Sequence, residues 1–315
     1  MMTIASAQPP TALDTAQAQY FHTNGFVVLR GFLARAELQR LRDATARLIE
    51  RAHQSPPLDD PYARDFAYAP GHDSGQAVLR RIEYVVQRLP ECRALLGHPA
   101  LLRGVEDLIG ADLIPTWDSM VLKMPGEGIA VPWHRDAPST QVGAHPIFNV
   151  DFYLDAAEGD TALRVLPGSH RWSDADAETR LRELHAASQR SGGVPVGSAE
   201  GFADAGATLV TMQPGDVLLH NILLLHGSPP SRGNALRRVI YFEFRSARVE
   251  LERGPHTPDY VPLKQQILAA CIEQRRTGAE PGEAPYRYAP PAPFNRFPSG
   301  APPTFRVPHA QYWRG

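Results

Sequence analysis

Helical periodicity comes early in this chain and strand-like sequence follows it, and that order limits the fold more than any single residue does. The segment "AELQRLRDATARLIERAH" places Leu38, Leu41, Ala44, Leu48 and Ile49 at helical spacing, with charges mostly opposite. A second helix is read from "PALLRGVEDLIG", which opens on Pro99, stops at Gly110 and aligns Leu102, Val105 and Ile109. The strand candidates are "GFVVLRGF", "DLIPTWDSMVLKMP", "PIFNVDFYLDA", "TALRVLPGS", "GDVLLHNILLLHGS" and "RRVIYFEFRSARV". They are rich in β-branched and aromatic residues and bounded by Gly or Pro turns. A parallel α/β fold would alternate its helices and strands regularly, and this chain does not. The order predicts a mainly β protein with flanking helices, an antiparallel barrel or double-sheet jelly roll backed by the N-terminal helices.

A length of 315 residues allows one large domain or two small ones. We expect a single domain over 1–315, with its core at about 20–250. The chain has 30 prolines, which crowd the segment "PYRYAPPAPFNRFPSGAPPTF" near the C-terminus. Such a run holds neither a helix nor a central strand. It predicts an extended tail, about 281–315, that wraps the domain with its Tyr and Phe residues in surface grooves. The rival is a disordered end, and the aromatics count against it.

The formal net charge of −2 and the lack of a long basic run argue against nucleic acid or an anionic membrane as main partner. The two cysteines, Cys92 and Cys271, lie far apart and form no CxxC or disulfide framework. The first residues, "MMTIASAQPPTALDT", have neither a basic start nor the apolar core of a signal peptide. No apolar run approaches the roughly 18 residues that span a bilayer. The expectation is a soluble, cytoplasmic protein.

The stretch "VPWHRDAP" sets His134 and Asp136 two residues apart, on one face if the segment is a strand. By itself the pair allows a metal chelate, an acid–base pair or a surface salt link. Histidines such as His53, His98 and His185 sit in helix-like or turn contexts and read as surface or capping residues. A third metal ligand is offered by "LLHNILLLHGSPP", where His220 and His226 both lie in or near apolar strand sequence. Two histidines and one carboxylate on a single face make the facial triad of non-haem Fe(II) oxygenases. Three protein ligands leave three octahedral positions, enough for a bidentate 2-oxo acid and O₂. The far carboxylate of such a co-substrate needs a cation, and the planar fork of arginine bonds both its oxygens. Arg237 stands eleven residues after His226, a distance that a hairpin can fold back, although alone it reads as a charged strand end. Ser228 could add a hydroxyl to the same carboxylate.

In order, "YFHTNGFVVLRGFL", "LKMPGEGIAVPWHRDAP", "LDAAEGDTALRVLPGSHRW" and "PGDVLLHNILLLHGSPPSRGNALRRVIYFEF" resemble the phytanoyl-CoA dioxygenase family of Fe(II)/2-oxoglutarate oxygenases. The resemblance covers roughly Tyr20 to Phe244. An HxD pair alone is a weak signal; HxD, then PGSH, then GD…HGS…R is a strong one. The resemblance implies a double-stranded β-helix, a cupin-like jelly roll. It also implies His134, Asp136 and His226 as iron ligands, with Arg237 and Ser228 on the C5 carboxylate of 2-oxoglutarate. Lys123 matches the lysine of the family's K-x-P-G stretch and is expected to touch the co-substrate or support the site; otherwise it is a surface lysine at a strand end. His220 is the rival third ligand, but Ser231 rather than an arginine stands eleven residues beyond it. His170, in PGSH, matches a structural turn.

The strand "FNVDFYLDA" departs from the family pattern, since Asn149, Asp151 and Tyr153 share one face. If that face looks inward, Asn149 would bond the co-substrate and Asp151 would meet the prime substrate. Related halogenases replace the HxD carboxylate with a small residue, so the retained Asp136 speaks against halogenation. The implied co-substrates are 2-oxoglutarate and O₂, with Fe(II) as cofactor. The implied reaction is hydroxylation of an unactivated C–H bond in a small molecule, a secondary metabolite or an amino-acid-like compound. Desaturation, epoxidation or rearrangement on the same scaffold is one alternative, and a cupin-like metal-binding protein without turnover is another. The segment from Arg51 to Arg81, with Tyr62, Phe66, Tyr68, His72 and Arg80, reads equally as a lid or a connecting loop.

Overall fold

The computed structural model describes residues 13–52, 55–57, 59–71, 74–143, 145–190, 202, 206–279, 282–302 and 304–313. The expectations for His53, His72 and the first twelve residues fall outside this set. The first half of the chain runs α1 (Thr15–Asn24), β1 (Phe26–Leu29), α2 (Arg35–Ala52), β2 (Phe66–Pro70), β3 (Ala77–Glu83), α3 (Val85–Arg88), α4 (Pro90–Leu96) and α5 (Pro99–Ile109). Next come β4 (Leu113–Lys123), β5 (Val131–His134), β6 (Phe148–Tyr153), β7 (Leu163–Val165), α6 (Asp174–Arg190) and β8 (Thr208–Val210). The remainder is β9 (Val217–Asn221), β10 (His226–Ser228), β11 (Arg237–Ser246), α7 (Ala247–Arg253), α8 (Tyr260–Thr277) and α9 (His309–Tyr312).

The strands form two antiparallel sheets. The larger has the order β1-β9-β6-β11-β4-β3-β2 and the smaller β5-β10-β7-β8. One face of the large sheet carries Phe148, Val150, Phe152, Leu219, Ile240 and Phe242, which pack in one cluster with Leu41 of α2, Val105 of α5 and Leu268 of α8. Burying each such side chain contributes about 1.5–3 kcal/mol. The backing is therefore not N-terminal alone, because α8 follows all the strands. The opposite face of the large sheet looks toward the small sheet. There Tyr153, Leu218 and Val239 pack against Leu163, Val165 and Val210 at one end of the interface. The expected jelly roll is present as two facing sheets.

The helix boundaries follow local chemistry. The side chain of Asp14 accepts from the Gln17 N–H and that of Gln17 returns the bond, a capping box that starts α1. Gly25 ends α1 at φ 83°, where an added Cβ would lie 2.5 Å from His170 Nδ1. His98 is buried rather than on the surface, and its Nδ1 caps α5 by accepting from the Ala100 N–H. Pro115 is tolerated within β4 because the β4–β11 register shifts between Glu243 and Phe244.

Two expected strands need correction. The stretch 215–228 reads as one strand but divides into β9 and β10, which belong to different sheets. Asn221 makes the turn, its Oδ1 accepting from Leu223 N–H and its carbonyl from Leu224 N–H. Ile222 to Leu225 are buried on both sides of that turn, so hydrophobicity gave no break. The last strand stops at Ser246, whose hydroxyl accepts from the Val249 N–H and caps α7.

Residues 66–70 and 77–83 are neither lid nor plain loop: they are strands of the large sheet, β2 at its edge and β3 between β2 and β4. In the proline-rich tail, Tyr286, Phe294 and Val307 are buried, Tyr286 OH donates to Glu106, and Tyr288 OH to the Leu113 carbonyl. No helix among the described residues is long and apolar enough to cross a membrane.

Candidate metal centre and co-substrate pocket

Between the sheets lies a cavity of about 240 Å³. His134 ends β5 and faces His226, the first residue of β10, directly across the ladder. Asp136 is not on the strand, contrary to the alternation first read from "VPWHRDAP". It lies just beyond the strand, its N–H donating to the Ile222 carbonyl at 2.9 Å. The three side chains nevertheless converge: Asp136 Oδ1 is 3.4 Å from His134 Nε2 and 3.8 Å from His226 Nε2. One ligand atom from each residue lies within 4.8 Å of the other two.

The tautomers are fixed by the backbone. His134 Nδ1 lies 2.8 Å from the Pro132 carbonyl, and His226 Nδ1 lies 2.8 Å from the Leu224 carbonyl. A carbonyl only accepts, so Nδ1 carries the proton and each Nε2 lone pair points at the shared site. Burial, then His134, push the pKa of His226 down to about 3, so its imidazole is neutral. Burial disfavours the charged form of Asp136, but His226, His134 and His220 outweigh it and hold the carboxyl well below its usual range. Burial opposes the charge of His134, but Asp136 outweighs it and raises that pKa. A divalent cation binding here would therefore displace a proton from His134 and meet a neutral His226 and an ionised Asp136.

His220 is adjacent without completing the triad. Its Nε2 is 3.4 Å from Asp136 Oδ2, and its Nδ1 is 3.1 Å from Asp151 Oδ2. Burial opposes its charge, yet Asp151 and Asp136 outweigh that and raise its pKa to about 10. Both ring nitrogens of His220 thus face carboxylates, and it is not among the three residues whose ligand atoms converge. His170 sits elsewhere, with Nε2 3.1 Å from the His22 carbonyl, in the turn read from PGSH.

Asn149, Asp151 and Tyr153 all line the cavity, while Val150 and Phe152 on the alternate face join the helix-backed core. Asn149 donates to Asp136 Oδ2 at 3.1 Å, while its buried Oδ1 has no hydrogen-bond partner among the described residues. Lys123 is fully buried, not a surface lysine, and its Nζ donates to the carbonyls of Ile129 and Pro229. Burial and then Arg237 push its pKa down to about 6. Lys123 is not among the residues that line the cavity.

Arg237 opens β11 opposite Lys123 of β4. It is 3% exposed and lines the cavity, with Nη1 donating to the Thr161 carbonyl at 3.1 Å. Among the described residues, Arg237 Nε and the fully buried Ser228 Oγ have no hydrogen-bond partner. Buried polar atoms left unpaired are costly, by about 1–3 kcal/mol each, so this pair is suited to an incoming carboxylate.

The sequence reading missed Arg81 and Tyr241, which also line the cavity. Tyr241 was within reach, because it follows Arg237 and Val239 at strand spacing. Arg81 gave no signal, because β3 was not recognised.

Two histidines and one carboxylate beside a buried arginine, between the sheets of a jelly roll, are the arrangement of non-haem Fe(II) oxygenases. The family model for phytanoyl-CoA dioxygenase (PhyH) matches residues 21–239, and the chain belongs to that family of Fe(II)/2-oxoglutarate-dependent oxygenases. It is 24% identical over 250 residues to the peroxisomal phytanoyl-CoA dioxygenase of Bos taurus, a match covering 75% of this chain and 69% of the relative. It is 26% identical over 277 residues to the methylphosphonate hydroxylase of Gimesia maris, covering 82% and 89%. Among solved structures, AviO1 from Streptomyces viridochromogenes Tue57 is similar with a TM-score of 0.58 at 27% identity, covering 76% of this chain and 96% of AviO1.

Proposed function

We propose that the protein is a dioxygenase that oxidises a C–H bond of a small molecule, with His134, Asp136 and His226 holding Fe(II). Arg237 and Ser228 hold the C5 carboxylate of 2-oxoglutarate. The observation that carries this reading is the convergence of the three ligand atoms within 4.8 Å on a cavity that also holds Arg237 and the unpaired Ser228 hydroxyl. Bound there, iron supplies oxidative decarboxylation of 2-oxoglutarate by O₂, coupled to oxidation of the substrate.

The chain's own residues set the conditions for that chemistry. The Pro132 and Leu224 carbonyls orient the two imidazoles, and Asn149 orients the carboxylate. Arg237 offers a buried clamp, with the buried Tyr153, Leu163 and Val239 lining the same cavity. A retained Asp136 leaves no place for halide, and hydroxylation is the reaction we assign. A cavity of about 240 Å³ suits a small metabolite or amino-acid-like compound. A cytoplasmic setting fits the two buried free thiols, Cys92 and Cys271.

The test is succinate formation from 2-oxoglutarate by the iron-loaded protein in air, with product mass read beside it. Succinate that disappears in His226→Ala supports the reading. A wild-type protein that binds iron and 2-oxoglutarate yet forms no succinate with any tested small molecule is the metal-binding alternative. Product mass separates gain of oxygen from loss of a hydrogen pair, and so hydroxylation from desaturation.

A further inference from the structure

The geometry points to a second anion site at the cavity mouth, built on Arg80, that holds a carboxylate, phosphonate or phosphate group of the prime substrate. This rests on the oxygenase reading above. In a regular strand Arg80 and Arg81 would point to opposite faces of the sheet. The β2–β3 ladder instead pairs Ala67 with Arg81 and Tyr68 with Leu79, which leaves Arg80 as the extra residue of a β-bulge. As a result two consecutive arginines line the same cavity as the triad.

The two are not equivalent. Arg81 donates to the Tyr241 hydroxyl, and its Nε lies 2.5 Å from Glu83 Oε1. Glu83 is itself held by Trp117 Nε1 at 2.8 Å. The charge of Arg81 is thus balanced and its position fixed. Arg80 is exposed, and among the described residues no hydrogen bond or ion pair engages it. The nearby cavity carboxylate Asp151 is already paired with His220 at 3.1 Å. Among the described residues, the uncompensated charge at the mouth is therefore positive. Arg237, 3% exposed, lies at the inner end on β11, across β4 from β3, so one cavity offers two separate arginines to two different anions. An anion on Arg80 would tether the substrate while its remaining carbon skeleton extends toward the triad.

The protein is loaded anaerobically with Fe(II) and 2-oxoglutarate, and the visible charge-transfer band is followed while butyrate, inorganic phosphate or butyramide is added. Calorimetry on the same complex gives the affinities. We expect at least one anion to perturb the band and to bind about tenfold more tightly than butyramide. Whether it is butyrate or phosphate separates a carboxylate substrate from a phosphonate or phosphate one. Arg80→Gln should lose that binding about tenfold, Arg80→Lys should retain most of it, and the affinity for 2-oxoglutarate should be the same in both. A band that forms while neither anion binds, equal binding of butyramide and butyrate, or wild-type anion binding by Arg80→Gln would overturn the inference alone. Failure of the wild-type band to form would overturn the oxygenase reading, and the inference with it.

Discussion

His134 and His226 face each other across the β5–β10 ladder, each with Nδ1 2.8 Å from the carbonyl oxygen two residues earlier. The same local bond, repeated on two strands, turns both Nε2 atoms toward Asp136. That repetition distinguishes the pair from His220, whose two nitrogens are taken up by Asp136 and Asp151.

The first prediction concerns ligand choice. His226→Ala abolishes stoichiometric Fe(II) binding in anaerobic equilibrium dialysis, whereas His220→Ala retains it. Retention in the first variant and loss in the second would assign the third ligand to His220.

The bond from Asn149 to Asp136 predicts that Asn149 acts on the metal through that carboxylate. Asn149→Ala removes the 3.1 Å bond to Asp136 Oδ2 and lowers iron affinity by about 10–100-fold. The affinity of the iron-loaded variant for 2-oxoglutarate stays near that of the wild type. A reversed pattern, with iron affinity intact and 2-oxoglutarate binding lost, would make Asn149 a co-substrate ligand.

Removing the clamp acts on the co-substrate instead. Arg237→Gln costs about 2 kcal/mol of 2-oxoglutarate binding, roughly thirtyfold in Kd, and Ser228→Ala about 1 kcal/mol. Iron binding is unchanged in both. Equal losses of iron and 2-oxoglutarate would indicate damage to the fold.

Lys123 gives the protein a pH signature. Its folded pKa of about 6 lies below the ordinary value of 10.5, so between these limits the unfolded chain binds the extra proton. Stability therefore rises with pH across that window, by about 1 kcal/mol per unit from this residue, and is lost as pH falls toward 6. Urea unfolding between pH 6 and pH 9 should show a shallower rise for Lys123→Met than for the wild type. Parallel slopes would mean that Lys123 stays charged when buried.

Much of this site was legible because its parts are local. HxD, HGS and the arginine eleven residues on are short motifs, and the alternation of Asn149, Asp151 and Tyr153 marks an inward polar face. The split of 215–228 was hidden because Ile222 to Leu225 are apolar in the turn as well as in the strands, and only Asn221 carried the turn signal. The roles of Lys123 and Asn149 depend on partners 106 and 13 residues away, which spacing does not show. The Arg80 bulge is less visible still, since a bulge exists only in the pairing of two strands. Helix α8 follows the last strand, so an order of helices first and strands second could not foresee its packing on the sheet.

The most direct measurement is anaerobic addition of Fe(II) and then 2-oxoglutarate to the purified protein, with visible absorption recorded at each step. The account predicts a weak charge-transfer band that appears only with both present and is lost in His226→Ala. In Arg237→Gln the band should need a higher 2-oxoglutarate concentration. A folded, iron-bound wild-type protein that gives no band at saturating 2-oxoglutarate would contradict it.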